Sequence, residues 1–181
     1  MPCMAPSPRA EYNERRMRCE QAAAFFASAL DHEVKALRDV SLDEWKRFSL
    51  GMDPVAARRA AHIIEENHRV LEARQRLSHG DLGGFGKLMF QSHQSSRENF
   101  ENSCHELDVI VEQAQNLESV SGARLSGGGF GGSAVMLIHP LDAEAVSRAV
   151  ADRYKREFGH PCDVRTIKPS DGARVVVQAG T

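Results

Sequence analysis

Apolar positions along this chain repeat with a helical period over its first two thirds and with a strand-like pattern after that. From Glu11 to about His32, Ala22, Ala23, Phe25, Phe26, Ala29 and Leu30 form a broad apolar face, and Arg15, Arg16 and Glu20 lie largely off it. Ser41 opens a short second helix, because Ser-Leu-Asp-Glu places Glu44 three residues on in a capping box. Asp53 suits an N-cap and Pro54 the first helical turn, so the longest helix starts there. It runs to Ser78 and stops at His79-Gly80, with Ile63, Val70, Leu71, Ala56, Ala60 and Ala61 along its buried stripe. Asp81 opens another helical segment carrying Phe85, Leu88 and Met89. Ser103 starts one through Leu107, Ile110, Val111 and Ala114.

The period then changes. Ala123 to Ser126 reads as a short strand, Gly127 to Gly132 as a loop, and Ala134 to Ile138 as a buried strand. An amphipathic helix over Leu141 to Phe158 follows, stopped by Gly159 and Pro161. Two last strands are expected at Val164–Ile167 and Ala173–Gln178, joined by a turn at Pro169-Ser170-Asp171-Gly172. Residues 1–9 read as a loose tail and 10–181 as one domain. The order predicts an α+β fold, with helices packed on one face of a small, mainly antiparallel four-stranded sheet.

With 181 residues, 41% of them hydrophobic and 27% charged, the chain is long enough to close a single core. Its net charge of −2 carries no general basic footprint, so a nucleic-acid partner is not expected. No stretch approaches the ~20 apolar residues that cross a bilayer, so no membrane partner is expected either. The N-terminal residues lack the apolar core of a signal peptide, which points to a cytoplasmic protein. The four cysteines are far apart with no CxxC pair, so no disulfide framework is read. His62 and His68 are six apart on one helix, turned away from each other, and no metal site is assigned. His93 and Arg97, four apart on one face, read as a core-edge or solvated contact rather than a catalytic pair.

Six glycines fall in the eleven residues from Gly122 to Gly132. Each costs about 0.5–1 kcal/mol of extra backbone entropy relative to alanine in regular structure, so the density calls for a reason. One reason is a concavity of exposed N–H groups that cradles a phosphate. The other is a hairpin whose backbones pack closely. Gly127, Gly129 and Gly132 satisfy G-x-G-x-x-G formally, but a strand follows where a dinucleotide fold requires a helix.

The segment Ala123-Arg124-Leu125-Ser126-Gly127-Gly128-Gly129-Phe130-Gly131-Gly132-Ser133 resembles the third conserved motif of the galactokinases, in the GHMP kinase superfamily. Other stretches agree in order. Glu11 to Glu20 is similar to the family's Tyr-Asn-x-Arg…Cys segment, and Arg59 to Val70 to its Arg-Ala-x-His…Glu-Asn-x-Arg-Val helix. Gly80-Asp81-Leu82, Phe85 to Met89, Ser92 to Arg97, Ser103 to Asp108 and Pro169 to Ala173 also follow it. The match covers roughly residues 9 to 175. Two departures are His105, where the family usually has Pro, and Ser133, where it often has Cys. The family's N-terminal sugar-binding motif, phosphate loop and catalytic Asp have no counterpart in this sequence, so the resemblance is to the C-terminal half.

The resemblance implies transfer of the γ-phosphoryl of ATP, with Mg²⁺, to the anomeric hydroxyl of galactose or a related sugar. It implies that Tyr12 contacts the sugar. It also implies that Ser126, Gly127, Gly128, Gly129, Phe130, Gly131 and Gly132 line the cleft beside the phosphate loop of the other half. No catalytic residue and no metal ligand is assigned here, and ATP and Mg²⁺ are expected to bind mainly to the N-terminal half. The chain by itself is expected to be inactive and to associate with that half or as a homodimer. The alternative readings are a non-catalytic sugar-sensing or regulatory module of the same fold, and an interaction domain whose glycine loop is structural.

Overall fold

The computed structural model describes residues 8–173 and 175. The elements run α1 (Pro8–Ala29), α2 (Leu42–Phe48), α3 (Pro54–Ser78), α4 (Leu82–Ser95), a π-helical turn (Ser96–Phe100), α5 (His105–Gln115), β1 (Val120–Ser126), β2 (Ser133–Ile138) and α6 (Ala143–Phe158). Single 3₁₀ turns precede and follow α2, and a third leads into α6. Among the described residues no helix is long and apolar enough to cross a membrane.

The caps read from the sequence form as expected. Ser41 Oγ accepts the Glu44 N–H while the Glu44 carboxylate accepts the Ser41 N–H at 2.8 Å. Asp53 caps α3 by accepting the Ala56 N–H at 2.9 Å, with Pro54 in the first turn. Asp81 does the same for α4 through the Gly84 N–H at 2.8 Å. His105 occupies the first position of α5, where a proline's missing N–H would have cost nothing, so the departure from the family pattern falls at a tolerant place. Ser133 is the exposed first residue of β2.

Two clusters make the core. Ala22 and Phe26 of α1 pack against Ala56, Ala60 and Ile64 of α3 and against Leu37 and Val40, with α2 closing the side through Trp45 and Phe48. The second cluster joins Val111 and Ala114 of α5, Val146 and Val150 of α6, and Val120 and Ala123 of β1, flanked by Ala134, Met136 and Ile138 of β2. So α5 and α6 cover one face of the hairpin. β1 and β2 pair antiparallel, with Ala123 opposite Met136 and Ser126 opposite Ser133, and a bulge between Val120 and Gly122.

The contact of α4 with β1 is backbone on backbone. A Cβ on Gly86 would sit 1.9 Å from the Ser121 carbonyl oxygen, and one on Gly122 would sit 2.4 Å from the Gly86 Cα. Gly122 thus belongs to packing rather than to the loop.

The sheet has two strands among the described residues, not four. Val164–Ile167 forms no strand, pairs with none among the described residues, and leaves Ile167 76% exposed. In the strand expected over 173–178, residues 174 and 176–178 lie outside the described residues, and Ala173 and Val175 are in no element. Of the expected N-terminal tail, residues 1–7 also lie outside, whereas Pro8 and Arg9 already belong to α1.

Candidate functional site

The glycine loop joins β1 to β2 as an exposed arch. Its backbone runs through the left-handed region at Gly127 (φ 84°), Gly129 (83°), Phe130 (59°), Gly131 (116°) and Gly132 (94°). Side chains at Gly127, Gly128, Gly131 and Gly132 would project into open space, so these four glycines are not there to avoid a clash. Gly129 is: a Cβ there would lie 2.0 Å from the Asn102 carbonyl oxygen. That carbonyl accepts the Phe130 N–H at 2.7 Å, and Asn102 Nδ2 donates to the Gly128 carbonyl at 3.1 Å. The N–H groups of Gly128, Gly129 and Gly131 make no such bond among the described residues.

The loop's near end is fixed separately. His93 is buried in α4, and its Nδ1 accepts the Leu125 N–H at 3.2 Å, just before Ser126 and the arch. A ring nitrogen that accepts carries no proton, so this His is neutral, with Nε2–H toward Asp108. Nε2 lies 3.2 Å from Asp108 Oδ1, within electrostatic reach but off the line of a hydrogen bond. Burial pushes the His93 pKa down, against the pull of Asp108. Asp108 also accepts from Ser103 Oγ at 2.6 Å and pairs with Arg97 Nε at 3.3 Å. The serine is bonded to the carboxylate and not to the imidazole, so this is a scaffold rather than a nucleophile and its base.

Beneath the arch lies the turn at 96–103. Arg59, only 3% exposed, donates to the Asn99 carbonyl at 2.5 Å and to Glu101 Oε2 at 2.7 Å. Hydrogen bonding to Arg59 holds the Glu101 carboxyl below the usual carboxylate range. His62 of α3 stacks on Phe100 and bonds Ser95 Oγ at 3.0 Å, and burial pushes its pKa down to about 4.

Arg15 links this turn to α1. Its guanidinium donates to the carbonyls of Phe100 (3.1 Å) and Glu101 (2.7 Å) and lies 5.5 Å from the centre of the Phe130 ring. Tyr12 is one turn before Arg15 on the same helix face, and is 59% exposed. So Ser126–Gly132 and the helix end bearing Tyr12 meet at one corner through Arg15 and Phe130. The sequence reading missed Arg15, Arg59, Glu101 and Asn102. Arg15 and Arg59 stand in the Tyr-Asn-x-Arg and Arg-Ala-x-His motifs but were given no role there, and only the largely polar stretch Glu98 to Ser103 between two helices marked Glu101 and Asn102.

The described residues gather no cluster of three His, Cys, Asp or Glu side chains able to hold a metal ion. Cys19 is half-buried, and burial pushes its thiol up to about 11, which makes it a poor nucleophile.

A scan of known families matches residues 70–156 to the family described as GHMP kinases C terminal, so that stretch of the chain is similar to the C-terminal domain of the GHMP kinases. Within that class its relatives are galactokinases. It is 43% identical over 169 residues to the galactokinase of Pasteurella multocida, covering 91% of this chain and 42% of that protein. It is 44% identical over 153 residues to that of Actinobacillus succinogenes, covering 82% and 38%. A crystal structure of Lactococcus lactis galactokinase complexed with galactose matches with a TM-score of 0.81 at 32% identity, over 87% of this chain and 40% of that one. The chain thus spans about two fifths of the length of the relatives it matches.

Proposed function

We propose that this chain forms the C-terminal wall of the catalytic cleft of a galactokinase-type sugar kinase. Completed by an N-terminal half, it takes part in ATP-dependent phosphorylation of galactose, or a related sugar, at the anomeric hydroxyl. The observation that carries this reading is the meeting of the open, externally clamped glycine loop with the Tyr12 end of α1, through Arg15 and Phe130. The 0.81 TM-score to a galactokinase complexed with galactose supports it.

Phosphoryl transfer relies on positioning and charge neutralisation more than on covalent chemistry. Three roles follow for this chain. The glycine arch presents unengaged N–H groups toward phosphoryl oxygens. The Tyr12 hydroxyl, exposed at its helix end, hydrogen-bonds a sugar hydroxyl. The clamp beneath the arch keeps both in register. In this reading an ATP phosphate chain lies against the arch; the described residues gather no group of three His, Cys, Asp or Glu side chains for Mg²⁺. In this reading the ion belongs to the nucleotide and the complementary half. No proton acceptor for the anomeric hydroxyl is assigned to this chain.

The test is a fusion of this chain to the N-terminal part of the Pasteurella multocida enzyme, assayed for galactose-dependent ADP release. Turnover by the fusion, with none by the 181-residue chain alone, is the expected result. A well-folded fusion that releases no ADP with galactose or related hexoses overturns the reading.

A further inference from the structure

We infer that Asn102 is a positioning residue for the glycine loop: it sets the arch from below and turns the free Gly129 N–H outward. The purpose of this device rests on the cleft-wall reading above, whereas its existence rests on contacts alone.

A loop with five residues at positive φ, four of them glycine, has many conformations of similar energy. Its own hairpin does not select among them, because the ladder ends at the Ser126–Ser133 pair. Selection comes from Asn102. Its carbonyl accepts the Phe130 N–H, its Nδ2 donates to the Gly128 carbonyl, and its backbone presses on Gly129. Three consecutive loop residues are fixed by one residue that lies 26 positions away and is only 7% exposed. The Gly128 carbonyl is drawn inward, and the Gly129 N–H, in the same trans peptide, therefore points the opposite way.

Asn102 can do this because it is itself immobilised. Its N–H donates to the Ser96 carbonyl at 3.1 Å. The preceding Glu101 sits in the left-handed region (φ 53°), pinned by Arg58 (3.1 Å) and Arg59 (2.7 Å) on its carboxylate and by Arg15 (2.7 Å) on its carbonyl. The order of the arch is therefore supplied by α1 and α3, not by the sheet that carries it. A ligand meeting such a loop is spared the cost of ordering it.

Amide hydrogen exchange, followed by NMR on the 181-residue chain, tests this. Asn102→Asp keeps the side-chain shape but sets an acceptor against the Gly128 carbonyl. We expect the Phe130 amide to exchange at least tenfold faster, with the Val111 and Ala114 amides unchanged. Gly129→Ala, which drives a methyl into the Asn102 carbonyl, gives the same local signature and carries the test alone where Asn102→Asp fails to fold. An unchanged Phe130 amide overturns the inference, and so does equal acceleration at Val111 and Ala114. The readout uses neither sugar nor nucleotide, so its failure leaves the kinase reading standing, and the reverse holds as well.

Discussion

His93 accepts the backbone N–H of Leu125 at 3.2 Å, and so a side chain of α4 anchors β1 one residue before the glycine arch begins. Removing the acceptor leaves a buried N–H without a partner, which costs about 1–3 kcal/mol. His93→Leu is expected to lower the unfolding free energy by that amount, read as a lower urea midpoint at unchanged m-value, and His93→Gln, which keeps an acceptor, to recover part of the loss. Equal stability of His93→Leu and the parent would mean that the bond contributes nothing.

The two buried histidines set a pH dependence. Burial holds His62 neutral down to about pH 4, while an unfolded His takes up its proton near 6.5. Between those values the unfolded chain binds more protons than the folded one, so stability falls as pH is lowered through that window. The fall is up to about 3 kcal/mol from His62, and the lowered pKa of His93 adds in the same direction. Thermal melts at pH 7, 6 and 5 should show a declining midpoint, flattened in His62→Gln. A midpoint independent of pH from 7 to 5 would contradict the burial of both rings.

Glycines of different motifs should differ sharply in tolerance. Gly86→Ala directs a methyl at the Ser121 carbonyl from 1.9 Å, so α4 and β1 must separate, at about 1–3 kcal/mol or more. Gly128→Ala meets open space, and its effect should stay within about 0.5 kcal/mol. Chemical denaturation of the two variants side by side decides it, and equal losses would place the α4–β1 crossing wrongly.

Tyr12 carries the sugar-side assignment. In the fusion enzyme, Tyr12→Phe should raise the KM for the sugar about 2–10-fold, the worth of one neutral hydrogen bond, and leave the KM for ATP unchanged. An unchanged sugar KM in steady-state kinetics would remove Tyr12 from the site.

Most helices of this fold are legible because their start signals act within four residues. Ser41 with Glu44, Asp53 with Pro54, and Asp81 with Gly84 each form their caps locally. The β1–loop–β2 hairpin is equally plain, because the period switches on either side of the glycines. Val164–Ile167 misleads: its β-branched Val164, Thr166 and Ile167 favour a strand, but a strand also needs an edge to pair with, which local sequence does not encode. The glycine cluster is read correctly as a special backbone and incorrectly as one feature. Gly122 serves the contact with α4, Gly129 serves Asn102, and the others shape the open rim. Only three-dimensional proximity separates those uses. The same holds for Asn102 and Arg59, whose partners lie 26 and 42 residues away.

The arch from Ser126 to Gly132 contains serine, glycine and phenylalanine, and not one ionised side chain. In the cleft-wall reading, what it offers an anion is peptide N–H groups at contact range. Mobile ions act over a Debye length of ~8–10 Å and weaken exposed charge pairs far more than such short contacts. The hold of this wall on an anionic ligand should therefore persist as ionic strength rises, and any steep salt dependence in binding would originate in whatever surface faces it.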